Sequence, residues 1–340
     1  MRRASTNCLR LSRKSSAAAP SLFHPFFARS RLAARLHRVY SPRGGKKDGK
    51  WEALPLSSIK TRVRPRAGSV AIVLGGGGML GATQVGMLRA LVESGVQPDL
   101  VVGTSVGALN GAAIAADPTA DGVGALADIW RSLAEAEMFT DTVLARAGNL
   151  ARYRTHLYSA TPLRKLLRDR LPTAFEDLRV PFQCVAASIE QAGAHWFSTG
   201  SLTDAVLASC AVPGLLPPVV INGEHFLDGG LVHSIPVGRA LTLGAREIYV
   251  LHVGRIEQPL SPPRSLWDVC LVSFELARRH RFVEEMAELP ANVRVHVLPS
   301  GEEKMPLVSL RYRRASAVTS RIERGYQAAA QYLANLSDTA

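Results

Sequence analysis

Apolar positions along this chain follow two alternating patterns. Short unbroken apolar runs, bounded by glycine, proline or aspartate, are followed by longer stretches in which apolar residues recur at helical spacing. Val70-Ala71-Ile72-Val73-Leu74 is one such run, with three β-branched members. A strand covered on both faces needs that continuity rather than alternation. Read in this way, the chain predicts strands near 70–74, 100–103, 181–188, 194–199, 219–227, 247–253 and 293–298. It predicts helices near 82–94, 106–116, 122–136, 162–170, 202–209, 265–288 and 311–336. The alternation points to an α/β fold, a mainly parallel central sheet covered by helices on both faces.

Three junctions carry candidate chemistry. The first strand ends in Gly75-Gly76-Gly77-Gly78-Met79-Leu80-Gly81. Consecutive glycines weaken regular structure, but without Cβ atoms several backbone N–H groups can converge on one anion. Phosphate binding and an oxyanion hole both use such a loop. Gly76 to Gly81 meets the spacing of a dinucleotide fingerprint, yet Asp99 precedes the second strand where a ribose-binding acid should follow it. A plain glycine-rich turn is the third reading. The second junction, Gly103-Thr104-Ser105-Val106-Gly107, lies between a strand pattern and a helix pattern. A serine there occupies a sharp turn that exposes Oγ above the sheet, near the N–H groups of the following helix. The third is Asp228-Gly229-Gly230, at the end of a hairpin turned by Asn222-Gly223. Its carboxylate is either a turn residue or a base presented to a cleft.

Glycine loop, serine elbow and Asp-Gly-Gly, in this order, resemble the motifs of the patatin-like phospholipases: G-G-G-x-R/K-G, G-x-S-x-G and D-G-G/A. The stretch Ala208-Ser209-Cys210-Ala211-Val212-Pro213-Gly214-Leu215-Leu216-Pro217-Pro218 is similar to a connecting segment of that family, with Leu216 at a usually aromatic position. The resemblance runs from about Ser69 to Pro236. It implies the patatin-like three-layer α/β/α fold and a Ser–Asp dyad. Ser105 would attack an ester carbonyl, Asp228 would be the base, and the N–H groups of Gly76, Gly77 and Gly78 would face the oxyanion. Gly81, Gly103, Gly107, Gly229 and Gly230 would support these motifs, and neither metal nor other cofactor is called for. One departure stands out: Leu80 replaces the family's basic residue, so oxyanion stabilisation would rest on backbone N–H groups alone.

A serine hydroxyl needs a neighbour to accept its proton. Histidine is the usual helper, and the order Ser105, Asp228, His252 also permits an α/β-hydrolase triad. His252 lies inside a predicted strand, however, where a structural role is the ordinary one. His225 and His233 flank Asp228; His225 precedes it by three residues in a strand and so points to the opposite face, and His233 would line the cleft rim, although a surface or packing role is the ordinary expectation for both. The segment from Asp117 to Leu171, with Trp130, Phe139, Tyr153 and Tyr158, would cap an acyl pocket or simply pack.

Charge divides the chain. Residues 1–67 hold 17 Lys and Arg against Asp48 and Glu52, a net +15; the whole chain is +13, leaving −2 for residues 68–340. The basic character thus belongs to an N-terminal extension, whose composition predicts disorder when alone. No recognition module accompanies it, so nucleic acid is not the expected partner. It lacks the apolar core and cleavage site of a secretory signal. An organelle transit peptide, an arm for an anionic membrane, and residues upstream of the true start remain as readings, with Ala28–Tyr40 able to form an Arg-rich amphipathic helix. Residues 68–340 form the expected catalytic domain. Its C-terminal helix carries Arg311, Arg313, Arg314, Arg321 and Arg324, a solvated face or a headgroup contact.

Cys8, Cys184, Cys210 and Cys270 show no paired spacing, which suits a reducing compartment; Cys184 and Cys270 are expected to be buried. No run approaches the ~20 apolar residues of a membrane span. The expectation is a cytoplasmic or peripheral-membrane serine acyl-hydrolase acting on phospholipid, lysophospholipid or a related acyl ester. An acyltransferase, a Ser-His-Asp esterase and a lipid-binding protein without turnover are the alternatives.

Overall fold

The strand β1 (Ser69–Leu74) sits in the middle of the sheet, and its residues divide between two cores. Ile72 and Leu74 pack into the larger apolar cluster; Ala71 and Val73 pack into a smaller one on the opposite face. That two-sided burial explains the unbroken apolar run. The structure, a computed structural model, describes residues 69–135, 148, 151–253, 259–301 and 315–337. The expectations for residues 1–67, Phe139, the Cys270 side chain, Arg311, Arg313 and Arg314 lie outside the described residues.

The remaining strands are β2 (Leu100–Thr104), β3 (Phe182–Ser188), β4 (Gly193–Phe197), β5 (Val219–Ile221), β6 (Glu224–Asp228), β7 (Ala245–Leu251) and β8 (Arg294–Leu298). Hydrogen-bonded neighbours run β5-β6-β3-β2-β1-β7-β8, with β4 added to β3. Five strands, β3-β2-β1-β7-β8, are mutually parallel, whereas β4, β5 and β6 join antiparallel. Asn222 and Gly223, with φ of 52° and 83°, turn the β5–β6 hairpin as the Asn-Gly signal predicts.

The helices are α1 (Ala82–Glu93), α2 (Val106–Ala116), α3 (Ala120–Glu135), α4 (Thr161–Arg170), α5 (Leu202–Ser209), α6 (Val237–Thr242), α7 (Leu266–Ala287) and α8 (Ala315–Ser337). Residues of α1 to α5 and α8 line the larger core, and those of α6 and α7 the smaller one, so helices cover both faces. The short α6 was not predicted; it follows Pro236 over only six residues, too few for a periodic pattern to register. Trp130 is buried in α3, so this aromatic of the Asp117–Leu171 segment packs, while Tyr153 is exposed. Cys184 is buried as expected.

Candidate active site

One strand brings the serine and the aspartate together. Along Phe182–Val185, β3 pairs parallel with β2, ending at Thr104 opposite Val185. Along Ala186–Ser188 it pairs antiparallel with β6, beginning at Asp228 opposite Ala186. Its pairing with β4 overlaps both stretches, so β4 takes the other edge of β3 and the two partners share one edge. Because β2 runs with β3 and β6 runs against it, their carboxyl ends meet head to head. Ser105 and Asp228 are 123 residues apart in sequence, and adjacent rungs of β3 place them side by side.

Ser105 Oγ donates to Asp228 Oδ2 at 2.6 Å. The other carboxylate oxygen, Oδ1, accepts the Gly230 N–H at 2.7 Å. Ser105 is 6% exposed and Asp228 2%. Burial raises the Asp228 carboxyl from its ordinary 3.8 to about 6, while the bonds from Ser105 and Gly230 act in the opposite sense. A carboxylate so poised is a stronger proton acceptor than one in water and is still ionised at neutral pH.

The elbow is strained and held. Ser105 has φ 55° and ψ −125°, a conformation that side chains other than glycine seldom adopt and that typically costs about 1–3 kcal/mol. Its carbonyl accepts Ala108 N at 2.8 Å, and its N–H donates to Ser209 Oγ at 2.8 Å. Ser209 Oγ in turn donates to the Val185 carbonyl at 2.6 Å. The Ser209 hydroxyl therefore bridges the gap left where the β2–β3 ladder ends at the turn. In sequence Ser209 stands out only as part of the family-like stretch Ala208–Pro218, because its two partners lie in distant segments.

The two glycines of the elbow are steric necessities. A Cβ on Gly103 would fall on the Gly107 carbonyl, and one on Gly107 on the Leu74 carbonyl. Helix α2 thus starts in backbone contact with the glycine loop. Gly229 meets the same limit against the Val185 carbonyl.

The loop itself departs from expectation at one residue. Gly76 is buried, and its N–H donates to the Ser234 carbonyl at 2.9 Å. It is therefore not free to serve an oxyanion, contrary to the expectation that groups Gly76 with Gly77 and Gly78 as donors. A Cβ on Gly76 would lie 3.3 Å from Ser105 Cβ, so its role is close approach. Gly77 and Gly78 are exposed, and their N–H groups meet no acceptor among the described residues. Leu80 is 3% exposed and belongs to the larger core, so the departure from the family motif exchanges a basic side chain for an apolar contact.

A buried polar chain fixes both ends of this loop. Gln84 Nε2 donates to the carbonyls of Gly75 at 2.9 Å and Leu251 at 2.8 Å. Asn110 Nδ2 donates to the Gly81 carbonyl at 3.0 Å and to Gln84 Oε1 at 2.8 Å, and Trp130 Nε1 closes the chain on Asn110 Oδ1 at 2.9 Å. Each of these three side chains is buried, and each finds its partner. On the other side, Thr104 Oγ1 donates to the His233 carbonyl at 2.7 Å, tying the strand before the serine to the segment after Asp228.

The bond from Ser105 to Asp228 involves no histidine. His225 is exposed, its Nδ1 paired with Glu190 Oε1 at 2.7 Å. His233 Nδ1 meets Glu285 Oε1 at 3.1 Å and is partly buried. His252 is 4% exposed, and burial, then Arg278 and Arg279, push its pKa down to about 3. The acceptor facing the Ser105 hydroxyl is Asp228.

A family model described as patatin-like phospholipase matches residues 72–241, half of the chain and all the motif residues above. The chain belongs to the patatin-like phospholipase family. Within curated proteins it is similar to Lysophospholipase nte1 of Aspergillus terreus, 32% identical over 197 residues, which is 56% of this chain and 12% of that protein. It is also similar to Patatin-like phospholipase domain-containing protein 7 of Mus musculus, 32% identical over 192 residues, 55% of this chain and 14% of that one. The chain thus matches only a small part of the length of these relatives. Among solved structures it is similar to VipD from Legionella pneumophila, with 17% identity and a TM-score of 0.42 over 78% of this chain and 67% of that one.

Proposed function

We propose that the chain is a serine lipid acyl-hydrolase, cleaving the carboxylic ester of a phospholipid or lysophospholipid through a Ser105–Asp228 dyad. The observation that carries this reading is the 2.6 Å bond from Ser105 Oγ to Asp228 Oδ2, made in a buried site whose backbone leaves N–H groups unengaged. Ser105 Oγ attacks the ester carbonyl carbon as its proton passes to Asp228. The oxyanion is received by the N–H groups of Gly77 and Gly78, with the first-turn N–H of Val106 beside them. The ester C–O bond then breaks and Asp228 returns its proton to the leaving alkoxide. Water repeats the sequence on the acyl-serine, releasing the fatty acid. Support also comes from family membership and from relatives named lysophospholipases. No helix among the described residues is long and apolar enough to cross a membrane. Peripheral contact, through which the cleft would meet lipid at an interface, belongs to the same proposal.

The test is labelling with a fluorophosphonate and locating the modified residue, alongside hydrolysis of a lysophospholipid. Modification at Ser105, loss of turnover in Asp228→Asn and retained turnover in His252→Ala are expected. Wild-type turnover in Ser105→Ala would end the proposal.

A further inference from the structure

His233 and Ser234 join all three segments of the site. The His233 N–H donates to the Gly229 carbonyl at 2.9 Å, one residue past Asp228. The His233 carbonyl accepts Thr104 Oγ1 at 2.7 Å, one residue before Ser105. The Ser234 carbonyl accepts the Gly76 N–H at 2.9 Å, in the loop that carries Gly77 and Gly78. Aspartate segment, serine elbow and glycine loop thus hang on two consecutive residues. Where that dipeptide sits fixes where the three sit relative to one another.

The dipeptide is itself held from helix α7. Glu285 puts one carboxylate oxygen on His233 Nδ1 at 3.1 Å and accepts the Gly238 N–H on the other at 2.8 Å. One side chain therefore staples both ends of residues 233–238. Between these ends Ile235 and Val237 are buried in the smaller core. The His233 and Glu285 side chains are 22% and 15% exposed, so water competes little for their bond. The imidazole also packs against Trp196 on β4, with ring centroids 5.3 Å apart. Arg239 lies over that indole at 4.9 Å and donates to Gln183 Oε1 on β3 at 2.8 Å. The imidazole is thus gripped between α7 and the sheet, while its own backbone carries bonds to the site.

We propose that His233 is a positioning residue for ester hydrolysis, and that its bond to Glu285 keeps the glycine loop in register with Ser105. This rests on the acyl-hydrolase reading. His233 touches no reacting atom in this role; it acts through its bonds to Gly229 and Thr104 and, through Ser234, on Gly76. An oxyanion donor works only within a narrow distance of the developing charge, and a displacement of about 1 Å can cost on the order of 10²-fold in rate. Loss of the bond therefore bears on kcat rather than on KM.

The full chain is compared with His233→Ala, Glu285→Ala and the double variant on a lysophospholipid, and labelling of Ser105 by a fluorophosphonate is timed for each. Folded protein is measured by circular dichroism, so that kcat refers to folded molecules. Both kcat and the labelling rate are expected to fall about ten- to hundredfold in each alanine variant, with KM changed less than about threefold. The double variant should be no slower than the slower single one, because all three remove the same bond. His233→Asn, whose amide can donate to Glu285 from about the place of Nδ1, should restore most of the rate. Glu285→Ala serves if His233→Ala does not fold. His225→Ala, which breaks the exposed pair with Glu190, is expected to leave kcat unchanged. Alanine variants with a lower Tm but wild-type kcat and labelling rate would show a merely structural pair and overturn the proposal. So would losses that multiply in the double variant, equal losses in His233→Asn and His233→Ala, or an equal loss in His225→Ala. Should the wild type cleave no lysophospholipid while Ser105 is labelled, and labelled more slowly in His233→Ala, the positioning role stands and the lipid-hydrolase reading falls. A wild type neither turning over nor labelled would end both.

Discussion

Replacing Asp228 by asparagine should make the protein more stable at alkaline pH and no more stable in acid. Burial lifts the Asp228 carboxyl from 3.8 to about 6, so the folded chain holds this proton more tightly than the unfolded chain does. The sign follows from linkage: stability contributed by the raised group is fully present below pH 4, declines as pH rises to 6, and is absent above. A gap of about two pK units at 1.36 kcal/mol each means that the ionised carboxylate lowers stability by about 3 kcal/mol at pH 8. Asparagine keeps an acceptor for the Gly230 N–H and a polar group toward Ser105, and it carries no charge into the buried site. Urea unfolding of wild type and Asp228→Asn at pH 4.5 and pH 8 measures the difference at each pH. The variant should gain up to about 3 kcal/mol at pH 8 and only about 1 kcal/mol at pH 4.5. A variant less stable at pH 8, or a difference independent of pH, would show that burial does not dominate at this carboxylate. The reaction would then be performed by a base whose readiness comes from another source.

Three further outcomes follow from the same geometry. The rate of ester hydrolysis should rise with pH through about 6, as Asp228 ionises, and level off above; a profile flat from pH 4 to 8 would contradict that. Ser209→Ala leaves the Ser105 N–H and the Val185 carbonyl without their partner, so stability should drop by about 1–3 kcal/mol and kcat should fall more than KM rises. A purely structural role would lower the amount of folded enzyme and leave kcat per folded molecule untouched. Gly107→Ala places a methyl on the Leu74 carbonyl and should leave little folded protein, read by circular dichroism, whereas alanine at the open position Gly124 should fold.

Individual elements were legible because they depend on local composition. The run before the glycine loop reads as a strand buried on both faces, and the hairpin at Asn222-Gly223 is marked by residues that tolerate positive φ. Helix α6 was missed because it is short, and the antiparallel share of the sheet was understated because strand direction is not written in hydrophobic pattern. The motif glycines were recognisable as a set, but their separate duties were not. Gly76, Gly77 and Gly78 look alike in sequence, and burial and the bond to the Ser234 carbonyl set the first apart from the other two.

Alone, then, the order of residues determined where strands, helices and tight turns form, and which three turns carry reactive or glycine-rich chemistry. Those features arise from neighbours a few positions apart, whose sterics and apolar spacing act on the local backbone. The tertiary structure decided what those turns do to one another. The register of β3 sets the serine against the aspartate, Ser209 joins the broken ladder, and the Gln84–Asn110–Trp130 chain holds the loop above them. Burial raises the Asp228 carboxylate. Distances, exposure and the pKa of a buried group belong to the packed whole, because each is set by groups that meet only when distant parts of the chain fold together.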